Sequence, residues 1–297
     1  MIQTGRVVAS HGRHVLVEDS DGQRRICHPR GKKNQAVVGD MVQWQASEDE
    51  GSIEAIEPRR NLFYRQDDIR SKSFAANLDQ VLVLMAAEPA FSSSQLARAL
   101  IAAEQAGIRS LIGLNKQDLT LPFDKAWGRL QPYRDFGCLV LPLSLRNPDD
   151  DLHALREQLQ GRTTLVLGPS GAGKSTLINR LVPQANAATN TLSKALHSGK
   201  HTTTTTTWYW VDPAKTTALL DSPGFQEFGI HHIPAAGLAD CMPDIKKFSN
   251  QCKFYNCTHV HEPGCGVIQA VQDGGVDSGR YKLFTELFTE LSVPKVY

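Results

Sequence analysis

An α/β fold with a largely parallel sheet is predicted for the middle of this chain, between a small N-terminal β-barrel and a helical C-terminal segment. Three observations predict it. Short β-type segments separated by Gly, Asp and Ser fill roughly the first 60 of the 297 residues. Apolar strands then alternate with amphipathic helices up to residue 220, and three cysteines gather with two histidines in the stretch 252–265. We therefore place the domain limits at 1–63, 64–227 and 228–297.

The composition is that of a folded protein in a reducing compartment. A hydrophobic content of 41% with 21% charged residues excludes a mostly disordered chain. Cys27, Cys138 and Cys241 stand alone in the sequence, which excludes a disulfide framework. The first residues carry no signal-peptide pattern and no apolar run would span a bilayer, so we expect a cytoplasmic protein with no membrane partner. The net charge of +1 gives no global nucleic-acid signature, so an RNA partner must be bound by local patches.

The N-terminal region predicts a five-stranded barrel. Its strands are expected at 6–9, 14–18, 25–28, 40–44 and 52–56. An oligonucleotide-binding (OB) barrel is the natural candidate by strand count, and an SH3-like barrel fits the same spacing. Residues 61–79 predict a polar connector.

The middle region alternates strand and helix. Strands are expected at 80–86, 111–114, 138–141, 163–167, 207–211 and 216–220, and helices at 93–104, 125–136, 152–159 and 176–182. The strands are nearly continuous apolar runs, which is typical of a parallel sheet covered on both faces. In the C-terminal segment, helices are expected at 235–245 and 281–291.

A phosphate-binding motif, G-x-x-x-x-G-K-[ST], lies on the turn between strand 163–167 and the helix after it. It comprises Gly168, Pro169, Ser170, Gly171, Ala172, Gly173, Lys174 and Ser175, followed by Thr176. Backbone N–H groups and the helix N-terminus would surround the β-phosphate, Lys174 would bridge the β- and γ-phosphates, and Ser175 would hold Mg²⁺. The same loop serves nucleotide kinases and transporter ATPases, and a Gly-rich turn without a ligand is the other interpretation.

A guanine-reading motif follows the strand at 111–114. It consists of Asn115, Lys116, Gln117 and Asp118. The Asp118 carboxylate can accept hydrogen bonds from guanine N1–H and the exocyclic amine, whereas adenine presents the wrong groups. Asn115 can bond the other edge of the base or brace the loop, and Ser144 and Leu145 after the next strand are a weaker second support. An ordinary turn is the alternative, but carboxyl ends of strands in one sheet are where ligands bind.

Residues 184–207 are polar and rich in threonine, which predicts a mobile loop that orders around a γ-phosphate. Thr203, with Thr204 as the alternative, would complete the Mg²⁺ sphere. The later strand ends in a D-x-x-G motif, in which Asp221 would contact Mg²⁺ through water and the Gly224 amide would sense the γ-phosphate.

The order of these motifs is rearranged. A Ras-like GTPase has the P-loop first, then the switch threonine, D-x-x-G, N-K-x-D and the serine loop. Here N-K-x-D and the serine loop (Ser144 and Leu145) precede the P-loop (residues 168–176), so the sequence predicts a circularly permuted GTPase domain. The D-x-x-G motif then leads straight into the C-terminal segment.

The C-terminal segment carries a candidate metal centre. Cys252, Cys257 and Cys265 together with His259 form a closed Cys₃His set, which is typical of structural Zn²⁺. His261 competes with His259 on spacing alone. Because the segment has few apolar residues, metal binding would supply much of its folding free energy.

The permuted motifs, the barrel and the cysteine cluster together resemble the RsgA family of circularly permuted GTPases. The pieces that carry the resemblance are 38–40, 56–61, 115–118, 168–176, 199–204 and 221–225. The resemblance implies an OB-fold that contacts 16S rRNA, binding to the 30S subunit, and help in its late maturation. It also implies GTP hydrolysis to GDP that the subunit stimulates, and it favours His259 as the fourth zinc ligand. We expect a monomer.

The water-positioning group is the open part of the mechanism. Phe225 occupies the place of the glutamine that orients water in Ras-type enzymes. We expect His201 or a ribosomal group to position the water, with Lys174 as the second catalytic residue, while an exposed loop histidine is the simpler interpretation of His201. A nucleotide kinase and a zinc-stabilised RNA-binding module with a nucleotide latch are the rival functions.

Overall fold

The structure is a computed structural model. It describes residues 2–12, 14–30, 35–47, 50–67, 69–147, 149, 152–183, 185 and 205–293.

The N-terminal strands close into the predicted barrel. They are β1 (Ile2–His11), β2 (His14–Glu18), β3 (Arg24–Pro29), β4 (Met41–Ala46) and β5 (Gly51–Ile56). The order around the barrel is β1-β2-β3-β5-β4, β4 pairs back with β1, and β3 runs parallel to β5. The side chains on the inner face are buried, among them Val7, Val17, Val42, Trp44 and Ile53. The barrel prediction is confirmed; β2 has the predicted limits, and the other four strands are longer than their sequence patterns indicated.

The barrel is attached to the central sheet through one edge. Ala9 in β1 pairs with Thr207 in β12 (Thr207–Trp210), which is the edge strand of that sheet. Next to this bridge, Glu18 accepts hydrogen bonds from Trp210 Nε1 at 2.7 Å and from Lys215 Nζ at 3.0 Å. The carboxylate of Glu18 is only 7% exposed, so it is a buried link between the two units.

The central sheet has the predicted parallel core. Its strands are β8 (Gln80–Ala86), β9 (Arg109–Asn115), β10 (Val140–Pro142), β11 (Thr163–Leu167) and β13 (Ala218–Asp221), with β12 antiparallel to β13. Their order is β10-β9-β8-β11-β13-β12. All seven residues of β8 are buried because the sheet is covered on both faces.

Helices cover the two faces of the sheet. They are α1 (Ser93–Gln105), α2 (Thr120–Arg129), α3 (Gln131–Asp135), α4 (His153–Leu159) and α5 (Lys174–Leu181). Val81 and Val83 in β8 belong to a core shared with α1 and the C-terminal helices, whereas Leu82 and Leu84 belong to a core shared with α4 and α5. The period-two alternation of β8 therefore separates the two cores.

The expected connector at 61–79 is wrong. The structure has a β-hairpin there, with β6 (Leu62–Gln66) antiparallel to β7 (Ser71–Ala76). Phe63 and Phe74 are buried against Phe228, with ring centroids 5.8 Å and 5.9 Å from it. The local sequence could not reveal this packing, because Phe228 lies some 150 residues later in the chain.

Two predicted helices have different limits because of proline. The expected helix at 125–136 is divided into α2 and α3 at Leu130, and Pro132 lies in the first turn of α3. The expected helix at 235–245 is a pair of 3₁₀ turns, Ala235–Gly237 and Ala239–Cys241, and α6 (Pro243–Ser249) begins at Pro243. Proline lacks the N–H that a helix interior needs, so it begins a helix more readily than it continues one.

The C-terminal segment has two further helices, α7 (Gly266–Gln272) and α8 (Ser278–Ser292). The second was predicted, and the first was not because only seven residues form it. The Arg280 guanidinium in α8 forms a two-point ion pair with Asp244 in α6, at 2.8 Å on each side, which ties these helices together. None of the helices in the described ranges has the length and hydrophobicity required to cross a bilayer.

Candidate nucleotide site and metal centre

The phosphate-binding loop joins β11 to α5 on the predicted turn. A Cβ atom at Gly168 would lie 2.2 Å from the carbonyl oxygen of Leu84 in β8, so only glycine allows this close approach. Gly173 has a φ of 107°, and a Cβ atom there would lie 2.5 Å from Asn115 Nδ2. Both glycines let the loop lie flat against the neighbouring strands, with the N-terminus of α5 at the cleft.

Lys174 is held inside the loop. Its ammonium group donates hydrogen bonds to the carbonyl oxygens of Gly168 at 2.8 Å and Pro169 at 2.9 Å. Burial lowers the pKa of Lys174, and the nearby charge of Asp221 acts in the opposite direction. A phosphate group that replaced the two carbonyl oxygens would favour the charged form of this lysine.

Asn115 connects three loops of the site. Its Nδ2 donates a hydrogen bond to the Ala172 carbonyl oxygen at 2.9 Å, and its Oδ1 accepts one from the Leu145 N–H at 3.1 Å. The side chain is buried, with 5% exposed. Of the two roles open for Asn115, this geometry favours the brace between the P-loop and the serine loop.

Asp118 lies at the exposed edge beyond Asn115. Ser144 Oγ donates to its Oδ1 at 3.3 Å, and the Gln117 N–H donates to the Leu143 carbonyl oxygen at 3.0 Å. Lys116 adopts a φ of 71°, and its ammonium group donates to the Glu88 carbonyl oxygen. The structure thus brings the N-K-x-D residues and the serine loop together at the carboxyl ends of adjacent strands. Their role in binding a base stays a prediction.

The D-x-x-G segment lies against the P-loop. Asp221 ends β13 and is buried beside Lys174. A Cβ atom at Gly224 would lie 3.2 Å from Lys174 Nζ and 3.2 Å from the Ser170 nitrogen, so this glycine borders the phosphate loop. Phe225 is bridged to Pro169, and its ring is buried edge-on against Phe228 with centroids 5.5 Å apart. The Phe225 side chain therefore packs into the core and offers no polar atom to a water molecule.

A cleft of about 770 Å³ opens over the P-loop. Its lining includes Ser170, Lys174 and Ser175 from the loop and helix, and residues 224–227 from the segment after D-x-x-G. Arg65 from the β6–β7 hairpin also lines it, together with Asp67. Sequence reasoning missed Arg65, because it precedes the P-loop by about 100 residues and sits in a stretch that was expected to be a connector.

Two predicted site residues cannot be placed. His201 and Thr203, like the alternative Thr204, lie outside the described residues. Their roles as water-positioning group and magnesium ligand stay predictions.

The four predicted metal ligands come together. The ligand atoms of Cys252, Cys257, His259 and Cys265 all lie within 4.8 Å of one another. The two sulfur atoms of Cys252 and Cys265 are 3.8 Å apart, and His259 Nδ1 lies 3.3 Å and 3.5 Å from them. A tetrahedral Zn²⁺ site with Zn–S near 2.3 Å and Zn–N near 2.05 Å has edges of about 3.8 Å and about 3.6 Å. The donor set and its spacing therefore fit Zn²⁺, and His259, not His261, is the histidine in the cluster.

Two contacts fix the loop that carries His259. Tyr281 in α8 donates a hydrogen bond to the His259 carbonyl oxygen at 2.8 Å. The Glu262 carboxylate accepts from the Thr258 N–H at 2.7 Å and from the Val260 N–H at 3.2 Å. Desolvation would raise the pKa of Glu262, but these hydrogen bonds outweigh it and hold the pKa below its ordinary value. The charged Glu262 thus organises the backbone on both sides of His259.

The chain is similar to known proteins over nearly its whole length. A family model described as RsgA GTPase matches residues 56–231. A small ribosomal subunit biogenesis GTPase RsgA from Variovorax paradoxus is 64% identical over 297 residues, which cover 98% of this chain and 93% of that protein. The protein of the same description from Paraburkholderia xenovorans is 49% identical over 294 residues, with coverage of 97% and 93%.

Solved structures agree with these relatives. The crystal structure of YloQ, a circularly permuted GTPase, has a TM-score of 0.74 at 29% identity and covers 100% of this chain and 98% of its own. YjeQ from Thermotoga maritima has a TM-score of 0.74 at 29% identity, with coverage of 98% and 99%. The likeness includes the barrel and the C-terminal segment as well as the P-loop domain, and the predicted permutation is confirmed.

Proposed function

This chain belongs to the RsgA GTPase family, and from that premise we propose that it binds the small (30S) ribosomal subunit and assists its late maturation. In this proposal the protein hydrolyses GTP to GDP and phosphate, and the subunit stimulates the turnover. The observation that carries it is the 64% identity, over 98% of the chain, to a small ribosomal subunit biogenesis GTPase. The permuted site described above supplies the chemistry.

Each part of the site has a role in this reaction. Asp118 would accept hydrogen bonds from the guanine N1–H and amine, while Asn115 keeps the base and phosphate loops in register. The backbone N–H groups of the P-loop, residues 168–176 apart from Pro169, would bind the phosphates. Lys174 would move from two carbonyl oxygens to the β- and γ-phosphates. Bound Mg²⁺ would neutralise phosphate charge, with Ser175, Asp221 and Thr203 as its candidate protein contacts.

Hydrolysis needs a water molecule that is placed in line with the γ-phosphate. The water oxygen forms a bond to the γ-phosphorus, and the bond from that phosphorus to the β–γ bridging oxygen breaks, leaving its electron pair on GDP. One water proton remains on the released phosphate, and the other passes to a phosphate oxygen or a base. Because the Phe225 ring is buried, another group must orient the water, and His201 stays our candidate.

We also propose a structural Zn²⁺ bound by Cys252, Cys257, His259 and Cys265, because three thiolates and one imidazole leave no open position for water. The barrel is our candidate for contact with 16S rRNA, and we propose a cytoplasmic monomer. The domain limits at 1–63, 64–227 and 228–297 are proposals of the same kind.

The first experiment measures GTP turnover by the purified protein alone, with 30S subunits, and with 50S subunits as the control, with ATP in parallel. Strong stimulation of GTP turnover by 30S subunits but not by 50S subunits supports the proposal. A phosphorylated acceptor molecule would instead identify a nucleotide kinase. Tight GTP binding without hydrolysis, even with 30S present, would identify an RNA-binding module in which the nucleotide is only a latch.

Two substitutions test the roles of individual site residues. Lys174→Ala should abolish productive GTP binding, because the charge beside the γ-phosphate is lost. His201→Ala should abolish the stimulated turnover while GTP binding is retained, and unchanged stimulated turnover would remove His201 from the mechanism.

A further inference from the structure

Arg65 lies where the terminal phosphate of a nucleotide would be expected. It is the fourth residue of β6, and the hairpin brings it to the cleft over the P-loop. The same cleft is lined by residues 224–227, which begin at the predicted γ-phosphate sensor Gly224. Arg65 is thus on the γ-phosphate side of the cleft, away from the N-K-x-D motif that would mark the base.

The guanidinium of Arg65 is anchored but only partly satisfied. One of its terminal nitrogens, Nη1, donates a hydrogen bond to the Glu227 carbonyl oxygen. Its Nε is buried and has no hydrogen-bond partner among the described residues. A buried donor without a partner is unfavourable, so this N–H is available to donate a hydrogen bond to an anionic oxygen.

The charge of Arg65 also lacks a counter-ion within the described part of the chain. Asp67 and Glu227 line the same cleft, but within the described residues neither carboxylate forms an ion pair with Arg65. Its cross-strand partner in β7 is Lys72, another cation. Partial burial and then the positive charge of Arg65 lower the pKa of Lys72. Like charges directly opposite one another destabilise a hairpin, and an anion bound beside them would relieve that repulsion.

We propose that Arg65 contacts the γ-phosphate of bound GTP and stabilises the charge that develops on it during hydrolysis. This inference rests on the proposed GTPase function and adds a residue to its mechanism. The Glu227 carbonyl holds one edge of the guanidinium, so the remaining N–H groups can be directed at the phosphate without a large change in side-chain conformation. An arginine supplied by the same chain performs this role in other GTPase classes. Here the hairpin before the permuted domain would supply it.

Arg65→Ala tests the proposal in the full-length protein with 30S subunits. We expect single-turnover GTP hydrolysis to fall by about 10²-fold or more, the usual effect of removing one charged or hydrogen-bonding group from a transition state. The affinity for GDP should change less than about twofold, because GDP lacks the γ-phosphate. Arg65→Lys should recover part of the rate, since it keeps the charge but loses the planar fork.

A second measurement distinguishes phosphate contact from a structural role. Aluminium fluoride added to the GDP complex mimics the phosphoryl group in transfer, so wild-type protein should bind GDP more tightly when it is present. Arg65→Ala should lose this gain. If the variant instead weakens GDP, GTP and the aluminium fluoride complex equally, or lowers only the melting temperature, Arg65 merely holds the Glu227 carbonyl and the proposal is overturned.

Arg70→Ala is the matched control, because Arg70 is exposed at the tip of the same hairpin and does not line the cleft. Its single-turnover rate should equal that of the wild type. Wild-type protein that fails to hydrolyse GTP would refute the proposed function. Wild-type turnover that Arg65→Ala retains in full would refute the role of Arg65 alone.

Discussion

Asn115→Ala should weaken every guanine nucleotide to the same extent. The substitution removes the acceptor for the Leu145 N–H and the donor for the Ala172 carbonyl oxygen, both inside the buried junction between loops. Leaving two buried backbone groups without partners costs about 1–3 kcal/mol each, or about 2–6 kcal/mol together. If this cost falls on the bound state, the affinity drops by at least about 30-fold, since 1.4 kcal/mol corresponds to a factor of ten.

The assay is the binding of fluorescent GDP, GTP and xanthosine nucleotides to wild type and Asn115→Ala. A brace between the loops predicts equal losses for all of them, with the preference for guanine unchanged. A side chain that reads the base predicts a change in that preference. Asn115→Asp is the informative companion, because it keeps the acceptor for Leu145 but places a carboxylate beside the Ala172 carbonyl. An affinity within twofold of wild type in both variants would refute the brace.

The remaining predictions concern the base, the metal and the barrel junction. Asp118→Asn should shift preference from guanine to xanthine nucleotides in a competition assay, and retained guanine preference would contradict the role of Asp118. Cys257→Ser should reduce zinc, measured by elemental analysis, from one equivalent to nearly none, while Cys138→Ser, outside the cluster, should keep it. Glu262→Gln should lower zinc affinity by about 10- to 100-fold in a chelator competition, because the loop around His259 loses its charged acceptor. Burial raises the pKa of Glu18, but hydrogen bonds from Trp210, Arg24 and Lys215 outweigh it and lower the pKa overall. The charged Glu18 therefore stabilises the fold above the ordinary glutamate pKa of about 4.3, and this stabilisation is lost as the pH falls below that value. Glu18→Gln should make the free energy of unfolding less dependent on pH on the acid side, as measured by tryptophan fluorescence.

The sequence predicted best those elements whose own residues show, by their apolar pattern, which positions are buried. All seven positions of β8 are buried because both of its faces are covered, and a short apolar run between turn signals is consistent with such a strand. The P-loop and N-K-x-D motifs could also be recognised from the sequence, because their chemistry needs particular residues at fixed spacing. The role of Asn115 could not be predicted from the sequence, since both hydrogen-bond partners of its side-chain amide lie more than 25 residues away.

The hairpin at 62–76 shows what local patterns omit. Its buried residues, Phe63 and Phe74, find their apolar partner in Phe228, which follows the D-x-x-G motif in the permuted order. Arg65 on the same hairpin reaches the cleft only because this long-range packing places it there. A single sequence contains no signal that joins residue 65 to residues 224–227, so a functional residue of this kind is found from the structure alone.

The permuted order has a mechanical consequence at this junction. The segment after Gly224 pairs with the hairpin, through Gln66 N–H to the Gly229 carbonyl and His231 N–H to the Gln66 carbonyl, both at 3.0 Å. The end of that segment is tied to the C-terminal helices, since His231 Nε2 lies 3.4 Å from the carboxylate of Glu290 in α8. The same carboxylate also pairs with Arg98 in α1. In the conventional order the chain after D-x-x-G would continue to the next strand of the same sheet. Here it continues into the C-terminal segment while it is held to the hairpin next to the barrel. A γ-phosphate that draws Gly224 towards the P-loop would therefore pull on both flanking units at once, because one short segment is attached to each of them.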